Sequence, residues 1–75
     1  MTALDVVFRY GVPPGETEMR ALKSVREVYG IRSVRFDSKN KTVRVEFDAS
    51  RLTEQNVESL LRRADIDVKE RVALV

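Results

Sequence analysis

An α+β sandwich, a four-stranded antiparallel sheet with two helices on one face, is the fold this sequence predicts. Three observations predict it. Apolar and polar residues alternate with a period of two in four short stretches: Leu4–Phe8, Val34–Phe36, Val43–Phe47 and Ile66–Val68. Apolar residues recur at helical spacing in two others, one between the first and second strands and one between the third and fourth. Only the polar turn Ser38-Lys39-Asn40-Lys41 separates the second strand from the third. The order β-α-β-β-α-β follows, built from two βαβ halves with right-handed crossovers. This is the ferredoxin-like arrangement.

Each element has its own signal. In the first strand Leu4, Val6 and Phe8 alternate with Asp5, Val7 and Arg9. The first helix is expected over Glu16–Tyr29, with Met19, Ala21, Leu22, Val25, Val28 and Tyr29 forming a broad apolar stripe. Glu16 and Glu18 suit its positive N-terminal end, and Gly30 is a natural stop. Val34 and Phe36, then Val43, Val45 and Phe47, form an antiparallel hairpin. Thr53 is a good N-cap, with Glu54 in the first turn, and Val57, Leu60, Leu61 and Ala64 follow at i, i+3, i+4 and i+7. In the fourth strand Ile66 and Val68 alternate with Asp67, Lys69 and Arg71. The helix-facing core is expected to be Leu4, Val6, Phe8, Val34, Phe36, Val43, Val45, Phe47, Ile66 and Val68, and truncating Phe36 or Phe47 to Ala should cost about 3–5 kcal/mol.

Seventy-five residues make one small domain, 1–75, with an apolar tail at 72–75. Cysteine and histidine are both absent, which removes disulfides, the soft metal ligands and the usual near-neutral acid–base group. Fourteen bases, ten of them arginine, against twelve acids give a net charge of +2. The signs alternate along the chain, as on a solvated mixed surface, instead of forming a basic block. No apolar run is long enough to span a membrane and no secretory signal is visible at the N-terminus, so a cytoplasmic setting is expected.

The joint after the first strand is Gly11-Val12-Pro13-Pro14-Gly15-Glu16-Thr17, and Gly30-Ile31 closes the helix. Val34-Arg35-Phe36-Asp37 and Lys41-Thr42-Val43-Arg44-Val45-Glu46-Phe47-Asp48 follow, then Thr53 with Val57. On these residues the chain resembles, from about Leu4 to Val68, the heavy-metal-associated domain of copper chaperones, mercury-binding proteins and metal-transporting P-type ATPases. The resemblance implies the ferredoxin-like fold and a kinship with metal transport and detoxification proteins. In that family the joint reads Gly-Met-x-Cys-x-x-Cys, and its two thiolates hold a soft ion. Here Pro14 and Thr17 stand at the cysteine positions and Val12 at the methionine. Proline offers no side-chain donor, and a threonine hydroxyl is a poor soft-metal ligand. No metal-binding residue carries over, no cofactor is expected, and the loop is a degenerate site in which Pro13-Pro14 stiffens the turn.

Other chemistries for loop 11–19 are weaker. Glu16 and Glu18 would point apart by about 200° of helical rotation, which does not suit a hard cation. Met1 and Met19 could offer thioethers, but Met19 at helical spacing reads as a packing residue. An anion at the helix N-terminus would meet two glutamates and two prolines that lack N–H. No nucleophile–base pair, Gly-x-Ser-x-Gly elbow or phosphate-binding glycine pattern appears, so an enzyme is not expected. The carboxylates Asp5, Asp37, Glu46, Asp48, Asp65 and Asp67 read as solvent-facing.

Arg9, Arg35, Arg44, Lys69 and Arg71 would line the open sheet face, a surface that RNA-binding members of this fold class use. Acids interrupt the face here, and the phenylalanines fall on the other register, so cross-strand ion pairs are the simpler reading. The expected role is therefore a non-catalytic protein-interaction or regulatory module. Weak metal binding through non-thiolate ligands of loop 11–19 is the alternative, and nucleic-acid binding through the basic face ranks below it. The candidate partner surface is Val7, Arg9, Arg35, Arg44, Lys69, Arg71, Val72 and Leu74, with a homodimer through the edge of the fourth strand as one form it could take.

Overall fold

The computed structural model describes residues 3–74, and Met1, Thr2 and Val75 lie outside the described residues, including the thioether considered for Met1. The elements are β1 (Ala3–Tyr10), α1 (Glu16–Arg26), β2 (Ile31–Asp37), β3 (Thr42–Asp48), α2 (Glu54–Arg63) and β4 (Val68–Leu74). The sheet is antiparallel throughout, in the order β2-β3-β1-β4. This is the ferredoxin-like sandwich that the alternation and the helical stripes predict.

Register explains the core. Val6 lies opposite Val45, which lies opposite Val34, and Phe8 opposite Val43, which lies opposite Phe36. These rows face the helices and are closed by Leu22 and Val25 of α1 and by Val57 and Leu61 of α2. Leu4 and Phe36 are only half-buried at the margin. Tyr10, the last residue of β1, continues its inward register and is buried, its ring meeting Phe36 edge-on at 5.7 Å.

The end of α1 and the start of β4 are among the boundaries that differ from expectation. Helix α1 stops at Arg26, short of Tyr29. Its hydrogen-bond ladder tightens there from i−4 to i−3, with the Val28 amide donating to Val25 O at 3.1 Å, and a turn then carries the chain to Ile31. Gly30, at φ 107°, completes that turn against Leu52, where a Cβ would stand 3.0 Å from the leucine side chain. Tyr29 is thereby turned out to solvent, 72% exposed. Ile66 is buried as expected but precedes β4, which begins at Val68.

Strand β4 departs most from simple alternation. Tyr10 pairs with Val68 and Arg9 with Glu70, then Phe8 with Arg71 and Val7 with Ala73. Lys69 and Val72 are thus surplus residues at two bulges. The bulges reset which side chains share a face. Arg71 falls opposite the core-facing Phe8 and reaches Glu54 at the start of α2 at 2.9 Å, while Glu70 pairs with Arg9 on the open face. The placement of Arg71 on the open face is corrected accordingly.

Between β3 and α2 the chain is pinned by Asp48, whose side chain is buried. Its carboxylate accepts from the Ser50 hydroxyl at 2.6 Å and the Ser50 amide at 3.0 Å, and its carbonyl accepts from the Arg51 and Leu52 amides. The Ser50 hydroxyl first, then its amide, holds the Asp48 carboxyl below the usual carboxylate range. Asp37 plays a similar part in the β2–β3 turn. The Asn40 side chain, then its amide, lowers the Asp37 carboxyl.

Candidate functional site

The β1–α1 loop is the natural place to look for a site, because it sits where the resembled family holds its ion. The chain leaves β1 at Tyr10 and is at once tied to the start of β4. The Gly11 amide donates to Asp67 O and the Val12 amide to Asp67 Oδ2, both at 3.0 Å. Lys69 Nζ lies 3.4 Å from the other carboxylate oxygen. A Cβ at 11 would stand 2.5 Å from Lys69 Cε and 2.6 Å from Asp67 Oδ2, so a larger residue there would displace the ends of both side chains. Asp67 is therefore a structural clamp, not the free solvent-facing carboxylate its place in the sequence suggests. Asp48 is corrected in the same way.

Beyond Val12, Pro13 and Pro14 have no N–H to offer, and Gly15 is the N-cap of α1 in an extended conformation. Its amide is taken by Glu18 Oε1 at 2.9 Å, the half of a capping box that a glycine cap still allows. Glu16 is engaged by Arg20 at 2.7 Å. The two glutamates considered for a hard cation are thus each directed to a local partner. Thr17 sits exposed on the first turn of α1, and Pro14 is half-buried before it. Among the described residues there is no group of three or more His, Cys, Asp or Glu side chains able to hold a metal ion. The donor set here, one hydroxyl, two engaged carboxylates and the single Met19 thioether, does not supply the pair of thiolates that the resemblance implies. Apolar surface is nevertheless presented at this end, with Val12 65% and Met19 42% exposed.

The candidate partner surface is only partly brought together. Val7, Arg44 and Arg35 form one row across β1, β3 and β2. Arg44 donates to Asp5 at 2.8 Å through Nε, and Arg9 pairs with Glu70. The depression on this face, about 360 Å3, is lined by Asp5, Ser33, Arg35, Arg44 and Glu46, so its charge is balanced. Arg71 has left the face, Lys69 turns to Asp67, and Leu74 lies opposite Val6. Val72 is exposed on the β4 edge, but bulges on either side of Glu70 and Arg71 leave that edge a poor template for a pairing strand. Sequence reasoning missed Asp67 and Glu70. The second had a local signal in its sign, opposite to that of its neighbours Lys69 and Arg71.

No helix among the described residues is long and apolar enough to cross a membrane. No protein-family model matches the chain, and no curated protein matches it.

Proposed function

We propose that this chain is a non-catalytic interaction module, related by descent to the heavy-metal-associated domains it resembles, working in the cytoplasm without their metal chemistry. One observation carries the reading: the loop that would present thiolates is closed internally, its Val12 amide held by the Asp67 carboxylate at 3.0 Å. A loop fixed by its own protein contacts needs no ion to organise it. The pairing of Arg44 with Asp5, Arg9 with Glu70 and Arg71 with Glu54 also leaves the sheet without the uninterrupted positive face that polyanion binding uses.

Amide NMR titrations with Cu(I), Zn(II) and Ca(II) test the reading. Signals of residues 11–19 that do not move support it. Shifts clustered on those residues and saturating at micromolar metal overturn it.

A further inference from the structure

The helical layer does not close fully over the sheet. Between α1 and α2 runs a depression of about 310 Å3, lined by Ala21, Ser24, Val28, Leu60, Arg63 and Ala64. A second, of about 350 Å3, shares Val28, Leu60 and Arg63 and adds Leu52, Asn56 and Ser59. The two form one groove, open because the facing side chains at 21, 24 and 64 are too small to fill it. At its Val28–Leu52 end the next residue in each direction is an exposed one: Tyr29, and Arg51 with its guanidinium 4.1 Å from the centre of the tyrosine ring.

Charge distinguishes this groove from the depression on the open sheet face, which two acids and two arginines line. There Arg44 is paired with Asp5, and beside it Arg9 with Glu70. No carboxylate lines the groove, and Arg63 makes no ion pair among the described residues. An aliphatic floor, an unpaired arginine and a terminal tyrosine–arginine stack are the composition of an interface hot spot. A trough between two helices is also a shape that accepts a third helix, ridge into groove.

We propose that the groove between α1 and α2 binds an acidic amphipathic helix from a partner protein. The proposal rests on the reading of the chain as an interaction module and names the surface and the partner. Apolar side chains at i, i+3 or i+4 and i+7 would enter over Val28 and Leu60, and a flanking carboxylate would meet Arg63, since Arg51 already faces Asp48 at 4.0 Å. A second copy of this chain fits less well. The outward faces of its own helices carry balanced pairs, Glu16 with Arg20 and Glu58 with Arg62, not an acidic surplus.

The test uses the full chain, isotopically labelled, with two synthetic amphipathic helical peptides. Both carry leucine at i, i+3, i+4 and i+7; one has glutamate at the flanking positions and the other lysine. The expected result is that the acidic peptide shifts the amides of Ala21, Ser24, Val28, Leu60 and Arg63, and that the lysine peptide binds at least about tenfold more weakly. Arg63→Glu should reverse that preference. Tyr29→Ala, an exposed position whose loss leaves the core intact, should weaken the acidic peptide about tenfold. Equal responses to both peptides overturn the proposal, as do concentration-dependent groove shifts of the protein alone or preferential binding of a single-stranded oligonucleotide there. Peptide shifts confined to other surfaces also sink it while leaving the interaction reading standing. Metal shifts at residues 11–19 would sink that reading and say nothing of the groove.

Discussion

The two strand-to-helix connections of this domain, residues 11–15 before α1 and 49–53 before α2, have the same length and are stabilised in opposite ways. The side-chain hydrogen bonds of the second are local. Asp48 binds Ser50, and Thr53 and Asn56 satisfy each other, with the Asn56 amide donating to Thr53 Oγ1 at 3.1 Å and the Thr53 amide to Asn56 Oδ1 at 2.9 Å. The first has a glycine at its cap, two prolines without N–H groups, and a clamp supplied by Asp67, 55 positions away from Val12. A local connection can form with its own segment. The other acquires its shape only when β4 is in place, so the geometry of the candidate loop depends on the last strand of the fold.

Several substitutions can break or sharpen this contrast. The largest effect should come from the core that both connections share. Phe47→Ala, at a fully packed position, should lose about 3–5 kcal/mol in urea unfolding. A single transition is expected, because both halves rest on the same rows of side chains. Two transitions would mean that the halves are separable and the long-range clamp unimportant. Next, Asp67→Ala should cost about 1–2 kcal/mol by leaving the Val12 amide without its acceptor, and Asp67→Asn should restore part of that. Hydrogen exchange should quicken at Gly11 and Val12 and remain unchanged at Asn56. Faster exchange at Asn56 would show that the two connections are coupled.

Thr53→Ala should cost about 1 kcal/mol, and its exchange effects should stay within the first turn of α2. Smaller again, Glu18→Ala removes the acceptor of the Gly15 amide and should cost about 0.5 kcal/mol. An acid titration sharpens the contrast without large changes at neutral pH. The folded-state pKa of Asp48 is depressed, so its contribution is present above the unfolded carboxylate value and is lost as pH falls through the lower folded value. Protection of the Ser50 amide should therefore persist to below about pH 4 before it fades. Asp48→Asn should flatten that acid limb; an unchanged limb would show that Asp48 does not set it.

What the sequence revealed and what it hid divide along the same line. The hairpin, the Thr53 cap and the inward rows of valine and phenylalanine were legible because spacing within a few residues determines them. Asp67 was not, since only the tertiary fold brings it to Val12. The swap of Arg71 and Glu70 between faces was hidden for a related reason. The run from Ile66 to Arg71 alternates plausibly as written, and only the register of β1 shows that β4 carries more residues than its partner spans. The early end of α1, which releases Tyr29 from the apolar stripe, depends on where Ile31 must meet Phe47.

The bulges of β4 also bear on which changes of chain length the fold can absorb. Lys69 and Val72 have no residue opposite them on β1. Removing Val72 would close one bulge and leave Arg71 opposite Phe8 and Ala73 opposite Val7, with every core side chain still inside. Removing Val45 from β3 would instead turn the residues beyond it to the wrong face of the sheet. Gains and losses of single residues can therefore accumulate at this edge of the sheet, while its two central strands must keep a fixed length.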